Sequence, residues 1–197
     1  MSRKKKTIIQ ILLVVVLFYV VGPFSGRYLT MEGLLHANER GLRYGPSTEI
    51  LLKTSMDTED EGKKYLIVGK VDDRSLSAVY GKRSLLLFYR LSGGATPGFS
   101  TMDEGAPVLL DYSRSGQIAY GLVDRKALPK AAYVRCMSTN AEDQVQEFGT
   151  FSVQENGFFT GETEGMDEYT YPDWVQVLDA EGNVLAVNES MAWMLEE

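Results

Sequence analysis

Residues 174–187 read WVQVLDAEGNVLAV. Trp174 to Leu178 is apolar apart from Gln176, residues 180–183 are a short polar turn containing Gly182, and 184–187 is a second apolar run. Two such runs joined by a glycine-bearing turn are the pattern of an antiparallel hairpin. The same grammar recurs upstream. Asn156-Gly157 separates Phe151-Ser152-Val153 from Phe158-Phe159, and residues 113–116 (SRSG) separate 108–112 from 117–123. Each predicts a hairpin, because these residues tolerate the positive φ that tight turns demand.

Further strands are predicted at 50–53, 64–71, 76–80, 84–91, 132–137, 145–153 and 158–162, all short and rich in β-branched and aromatic residues. The stretch 85–89 (LLLFY) is apolar on both faces and predicts a strand in the middle of a sheet. Residues 145–153 lose their alternation at Phe148-Gly149, where a β-bulge restores it. Two segments predict exposed loops: 57–64 (DTEDEGKK) and the glycine- and proline-rich 92–107 (SGGATPGFSTMDEGAP).

The N-terminus has a different pattern. Arg3, Lys4, Lys5 and Lys6 precede the apolar run 8–21 (IIQILLVVVLFYVV), broken only by Gln10. Fourteen residues give about 21 Å of helix, and adding Thr7 and residues 22–24 brings it to roughly 27 Å, near the hydrocarbon thickness of a bilayer. Good signal-peptidase positions are missing around Gly22, Ser25 and Gly26, so the run predicts a retained anchor rather than a cleaved leader. The basic flank places the N-terminus in the cytoplasm. A short amphipathic helix is then expected over 30–40, with Thr30 as N-cap and Glu32 in its first turn.

The expected fold is therefore mainly β: a single N-terminal transmembrane helix, a short juxtamembrane helix, then one antiparallel β-sandwich or barrel-like domain. The boundaries are a cytoplasmic tail at 1–6, an anchor at 7–24, helix and linker at 25–46, an extracytoplasmic β-rich domain at 47–190 and a C-terminal tail at 191–197. The layout resembles small bacterial cell-surface proteins of Gram-positive type with one β-rich domain outside a single anchor. The expected localisation is the cell membrane, single-pass, and the expected partners are the membrane, through the helix, and a membrane or cell-wall component.

Charge excludes other classes. Beyond the N-terminal basic cluster the chain carries 16 basic against 27 acidic residues, which disfavours nucleic acid as a partner. With one cysteine, Cys136, and one histidine, His36, no Cys/His metal site and no internal disulfide can form. His36 lies in the expected juxtamembrane helix, which argues against a histidine-based triad, and the Gly-x-Ser-x-Gly elbow is missing. Gly62 stands sixth in a would-be calcium loop beginning at Asp57, but the twelfth place is Val68 where a bidentate glutamate is needed. No catalytic, cofactor-binding or metal residues are assigned, and no cofactor is expected.

What remains for recognition is aromatic: Tyr169, Tyr171 and Trp174 around Pro172, with Phe99 in the glycine-rich loop. Gln10 offers an interhelical hydrogen bond in a membrane. The expected function is a non-enzymatic binding or accessory module at the cell surface. The alternatives are a hydrolase or transferase using carboxylates such as Asp103, Glu104 or Asp111, and an accessory subunit of a membrane complex.

Overall fold

The structure, a computed structural model, describes residues 3–21, 26–58, 62–84, 88–92, 98–113, 118–139, 144–163, 172 and 174–188. Its first element corrects the anchor. Helix α1 (Arg3–Val21) has 19 residues and starts inside the basic cluster, so Arg3 to Lys6 form its first turn. Only the 14 residues 8–21 continue the apolar run, about 21 Å of helix against the roughly 30 Å of a bilayer core. Among the described residues no helix is long and apolar enough to cross a membrane. Residues 22–24, counted above to lengthen the span, lie outside the described residues.

With the span go the transmembrane anchor over 7–24, the single-pass cell-membrane localisation with its cytoplasmic N-terminus and extracytoplasmic domain, and the membrane as partner. The likeness to anchored bacterial cell-surface proteins goes too. The fold that stands is mainly β with two short helices.

The second helix, α2 (Met31–Leu42), forms where its sequence places it. Thr30 adopts extended backbone, and its hydroxyl accepts the Gly33 N–H at 3.0 Å, satisfying one of the orphan donors of the first turn. Met31, Leu34 and Leu35, at helical spacing, form the buried face. Arg43 closes the helix in the left-handed conformation, φ 62°.

Twelve strands follow among the described residues: β1 (Glu49–Thr58), β2 (Gly62–Asp72), β3 (Ser75–Ser84), β4 (Phe88–Leu91), β5 (Phe99–Thr101), β6 (Val108–Ser113), β7 (Ile118–Val123), β8 (Tyr133–Thr139), β9 (Val145–Ser152), β10 (Phe158–Glu162), β11 (Trp174–Leu178) and β12 (Val184–Asn188). One sheet has the order β1-β2-β3-β4 with β5 also on β3, a second β10-β7-β6, and a third β12-β11-β8-β9. The chain divides into two compact units. The first comprises Met1–Pro46, Leu52–Val68 and Ala78–Gly98; the second comprises Ser47–Leu51, Gly69–Ser77 and Phe99–Glu197.

In the first unit α2 is seated by Gly81 of β3. A Cβ there would lie 2.7 Å from Met31 Sδ and 2.8 Å from Leu34 Cδ2, so the missing side chain is the space those two occupy. Of the apolar stretch 85–89, expected in mid-sheet, residues 85–87 lie outside the described residues and Phe88 and Tyr89 begin β4. Ser84 pairs with Phe88, so β3 and β4 form a hairpin, and β4 is the last named strand of its sheet. Beside it is an isolated bridge, in which Tyr28 N–H donates to Tyr89 O at 2.8 Å and Tyr89 N–H to Tyr28 O at 2.6 Å.

In the second unit the hairpins expected at 113–116 and 180–183 are present, as β6/β7 and β11/β12. Asp179 organises the latter by accepting Asn183 N–H at 2.7 Å and Glu181 N–H at 3.0 Å. The bulge falls at Phe148: Cys136 pairs with Gly149 and Met137 with Glu147, leaving Phe148 as the extra residue, its ring buried. Asn156-Gly157 does make a tight turn, with Gly157 at φ +85° and its N–H on Gln154 O at 2.9 Å. Its flanking strands are not ladder partners, however. β9 pairs with β8 and β10 with β7, so this turn carries the chain from one sheet to another.

The predicted loop 92–107 is also interrupted, since Phe99–Thr101 pairs with Ser75–Ser77 of β3. The core of this unit gathers Val108, Ala119, Val134, Cys136, Phe148, Phe159, Val175 and Val177. β7 is buried along its whole length.

Candidate functional site

The expected recognition residues are dispersed or undescribed. Phe99 is half-buried on β5, opposite Ser77, and Trp174 is half-buried on β11, where its Nε1–H donates to Thr139 Oγ1 at 3.2 Å. They belong to different sheets. Tyr169 and Tyr171 lie outside the described residues, as do Glu59, Asp60 and Glu61 of the expected loop 57–64, whose other residues end β1 and begin β2. Gln10 is exposed on α1. Cys136 is fully buried; burial, with the Glu147 charge adding to it, pushes its thiol up to about 12. His36 Nδ1 lies 2.8 Å from Glu39 Oε2, and Glu39 itself is 1 % exposed.

The carboxylates considered for catalysis also part company. Asp103 and Glu104 are exposed, on a turn closed by Ala106 N–H to Asp103 O at 3.0 Å. Asp111 sits on β6, opposite Tyr120, accepting Ser100 Oγ–H at 2.8 Å and Tyr112 N–H at 2.8 Å. Burial raises its carboxyl above the usual range, and the Ser100 hydrogen bond only partly offsets that. Among the described residues no three His, Cys, Asp or Glu side chains gather as metal ligands.

A cleft of about 410 Å³ opens within the first unit, at the start of α2. Its apolar lining is Leu29, Met31 and Leu66, of which Met31 and Leu66 are buried. Thr54 and Ser55 of β1 supply hydroxyls on one side, and Tyr65 of β2 and Tyr89 of β4 supply aromatic lining. Lys53 donates to Glu32 Oε1, an ion pair that holds the Glu32 carboxyl below its ordinary range through that hydrogen bond. Both partners are largely solvated, so this pair contributes little to stability and instead fixes where the two charges stand.

The tyrosines are mutually ordered. Tyr65 and Tyr89 meet edge to face with ring centroids 5.3 Å apart and planes at 87°. The Arg83 guanidinium lies 5.6 Å from the Tyr65 ring centre and 5.8 Å from that of Tyr89, and Lys63 Nζ lies 6.0 Å from Tyr65. Local geometry explains the grouping. Lys63 and Tyr65 are two apart on β2 and so share a face, while Arg83 and Tyr89 are cross-strand partners in the β3/β4 hairpin. The Tyr28 bridge to Tyr89 leads the chain straight into Leu29 and Thr30 at the cleft.

Of the cleft residues, the sequence picks out Thr30 and Glu32, as helix cap and first-turn acid and not as parts of a binding site. The strand register that brings Arg83 and Tyr89 onto Lys63 and Tyr65 leaves no local signal in the sequence. The chain matches no protein family model, no curated protein and no solved structure.

Proposed function

We propose that the protein is a non-enzymatic binding or accessory module that holds its ligand in the cleft beside the N-terminal end of α2. The observation supporting this reading is the cleft's composition: buried apolar side chains at Met31 and Leu66, ordered aromatic rings at Tyr65 and Tyr89, and positioned charges at Lys53 and Glu32. Binding sites combine apolar surface with a few placed polar groups in this way.

The test is a nuclear magnetic resonance titration of the full chain with small probes: indole, benzoate and N-acetyl-leucinamide. Shifts should concentrate at Leu29, Met31, Tyr65, Leu66 and Tyr89. Shifts confined to Phe99 and Trp174, or spread evenly over the surface, would reject the reading.

A second reading, a carboxylate-dependent hydrolase or transferase, is favoured by one observation: the raised carboxyl of Asp111 with the Ser100 hydroxyl held against it. Turnover of ester or glycoside substrates that disappears in Asp111→Asn, while the fold is kept, would support it.

A further inference from the structure

We infer that the cleft receives an acidic peptide segment of a partner protein, with a glutamate or aspartate against Arg83 and Lys63 beside the Tyr65 and Tyr89 rings and a neighbouring apolar side chain on the exposed Leu29. This rests on the cleft being the binding site. Arg83 and Lys63 are both exposed. Among the described residues neither has a carboxylate within ion-pair distance, whereas Lys53, which lines the cleft, is matched by Glu32 and Arg74 elsewhere by Asp124. Arg83 and Lys63 lie against tyrosine rings, and an Arg83 Nη2–H also donates to the Tyr89 hydroxyl at 3.5 Å; these contacts orient a cation without neutralising it.

The chain carries a formal charge of −7, and among the described residues Arg83 and Lys63 form a small cationic pad on it. A long polyanion would be repelled by the rest of the surface, while a short acidic segment meets the pad alone. The ring faces of the tyrosines already carry cations, so the groups presented outward are an ammonium and a guanidinium rather than a bare stacking platform. β1, which lines the cleft with Lys53 to Ser55, is the outermost strand of its sheet, and an outermost strand offers backbone groups that a peptide can pair with.

The experiment titrates the full chain with a capped six-residue peptide alternating glutamate and leucine, with the same peptide carrying lysine for glutamate, and with inorganic phosphate. Binding is read from amide shifts and from the anisotropy of a dye on the peptide. The acidic peptide should shift Tyr65, Leu66 and Tyr89 and bind at least about tenfold tighter than the basic one, with affinity falling as salt is raised. The double variant Lys63→Gln, Arg83→Gln should lose about tenfold or more of that affinity, and Lys63→Glu with Arg83→Glu should transfer the preference to the lysine peptide.

Equal binding of both peptides at the cleft would overturn the acidic preference while leaving the cleft as a binding site. No shift at the cleft with either peptide or with the small probes would overturn both. Phosphate that displaces the peptide and reproduces its shifts would identify a free anion as the occupant. Concentration-dependent shifts of the same residues without any peptide would identify a second copy of the chain. Either of these last results overturns the inference.

Discussion

Replacing Gly121 by alanine tests how closely β6 and β7 are packed. A Cβ at this position would lie 1.9 Å from the Leu109 carbonyl oxygen and 2.5 Å from Phe159 Cζ. Carbon–oxygen contacts between strands settle near 3.3 Å, so about 1.4 Å of separation has to be created between backbone and methyl. Ladder hydrogen bonds do not survive a displacement of that size, and each buried group left unsatisfied costs about 1–3 kcal/mol. Overpacking the Phe159 ring adds to that, and the two effects together amount to about 3–5 kcal/mol. That is a large share of the roughly 5–15 kcal/mol by which domains are stable. Urea denaturation followed by far-ultraviolet circular dichroism measures it, with Gly98→Ala as control because nothing lies within 4 Å of a Cβ there. A loss below about 1 kcal/mol for Gly121→Ala would show that the close approach is not what requires glycine at this position.

Gly81→Ala is expected to be milder, about 1 kcal/mol, because its neighbours are the mobile ends of Met31 and Leu34 rather than backbone; displacement of α2 should instead appear as weaker ligand binding in the cleft. Arg43→Gly should stabilise the protein by about 1 kcal/mol in the same denaturation assay, since Arg43 holds a left-handed conformation at the end of α2 that glycine adopts without steric cost. Native Cys136, with its thiol pushed up to about 12, should resist iodoacetamide at pH 8 and react only after unfolding, as read by mass spectrometry.

Asp111 has a carboxyl raised by burial, so the folded state holds its proton more tightly than the unfolded chain. Its contribution to stability is present at low pH and is lost as pH rises from the unfolded value through the folded one. The stability difference between the protein and Asp111→Asn should therefore move in favour of the variant across that interval; a difference independent of pH would show that Asp111 ionises normally.

Much of the fold is legible locally. The Thr30 cap, the Phe148 bulge and the turn at 180–183 are properties of a few neighbouring residues, and backbone sterics and short-range hydrogen bonds decide them wherever they occur. Asn156-Gly157 shows where that ends: a turn residue sets the bend, but which strand pairs beyond it depends on the competition among all sheet edges. The apolar run at the N-terminus likewise reads as an anchor by composition, while the helix that forms includes the basic turn, and among the described residues no helix is long and apolar enough to cross a membrane.

The sequence by itself determined a β-rich chain with a capped amphipathic helix, because alternation, turn chemistry and capping act over fewer than ten residues. Only the tertiary structure decided the cleft. Lys63, Tyr65, Arg83 and Tyr89 come from three strands, and Glu32 meets Lys53 across 21 positions of chain. Their meeting follows from strand register and from the seat that Gly81 gives α2, and both are outcomes of packing the whole sheet.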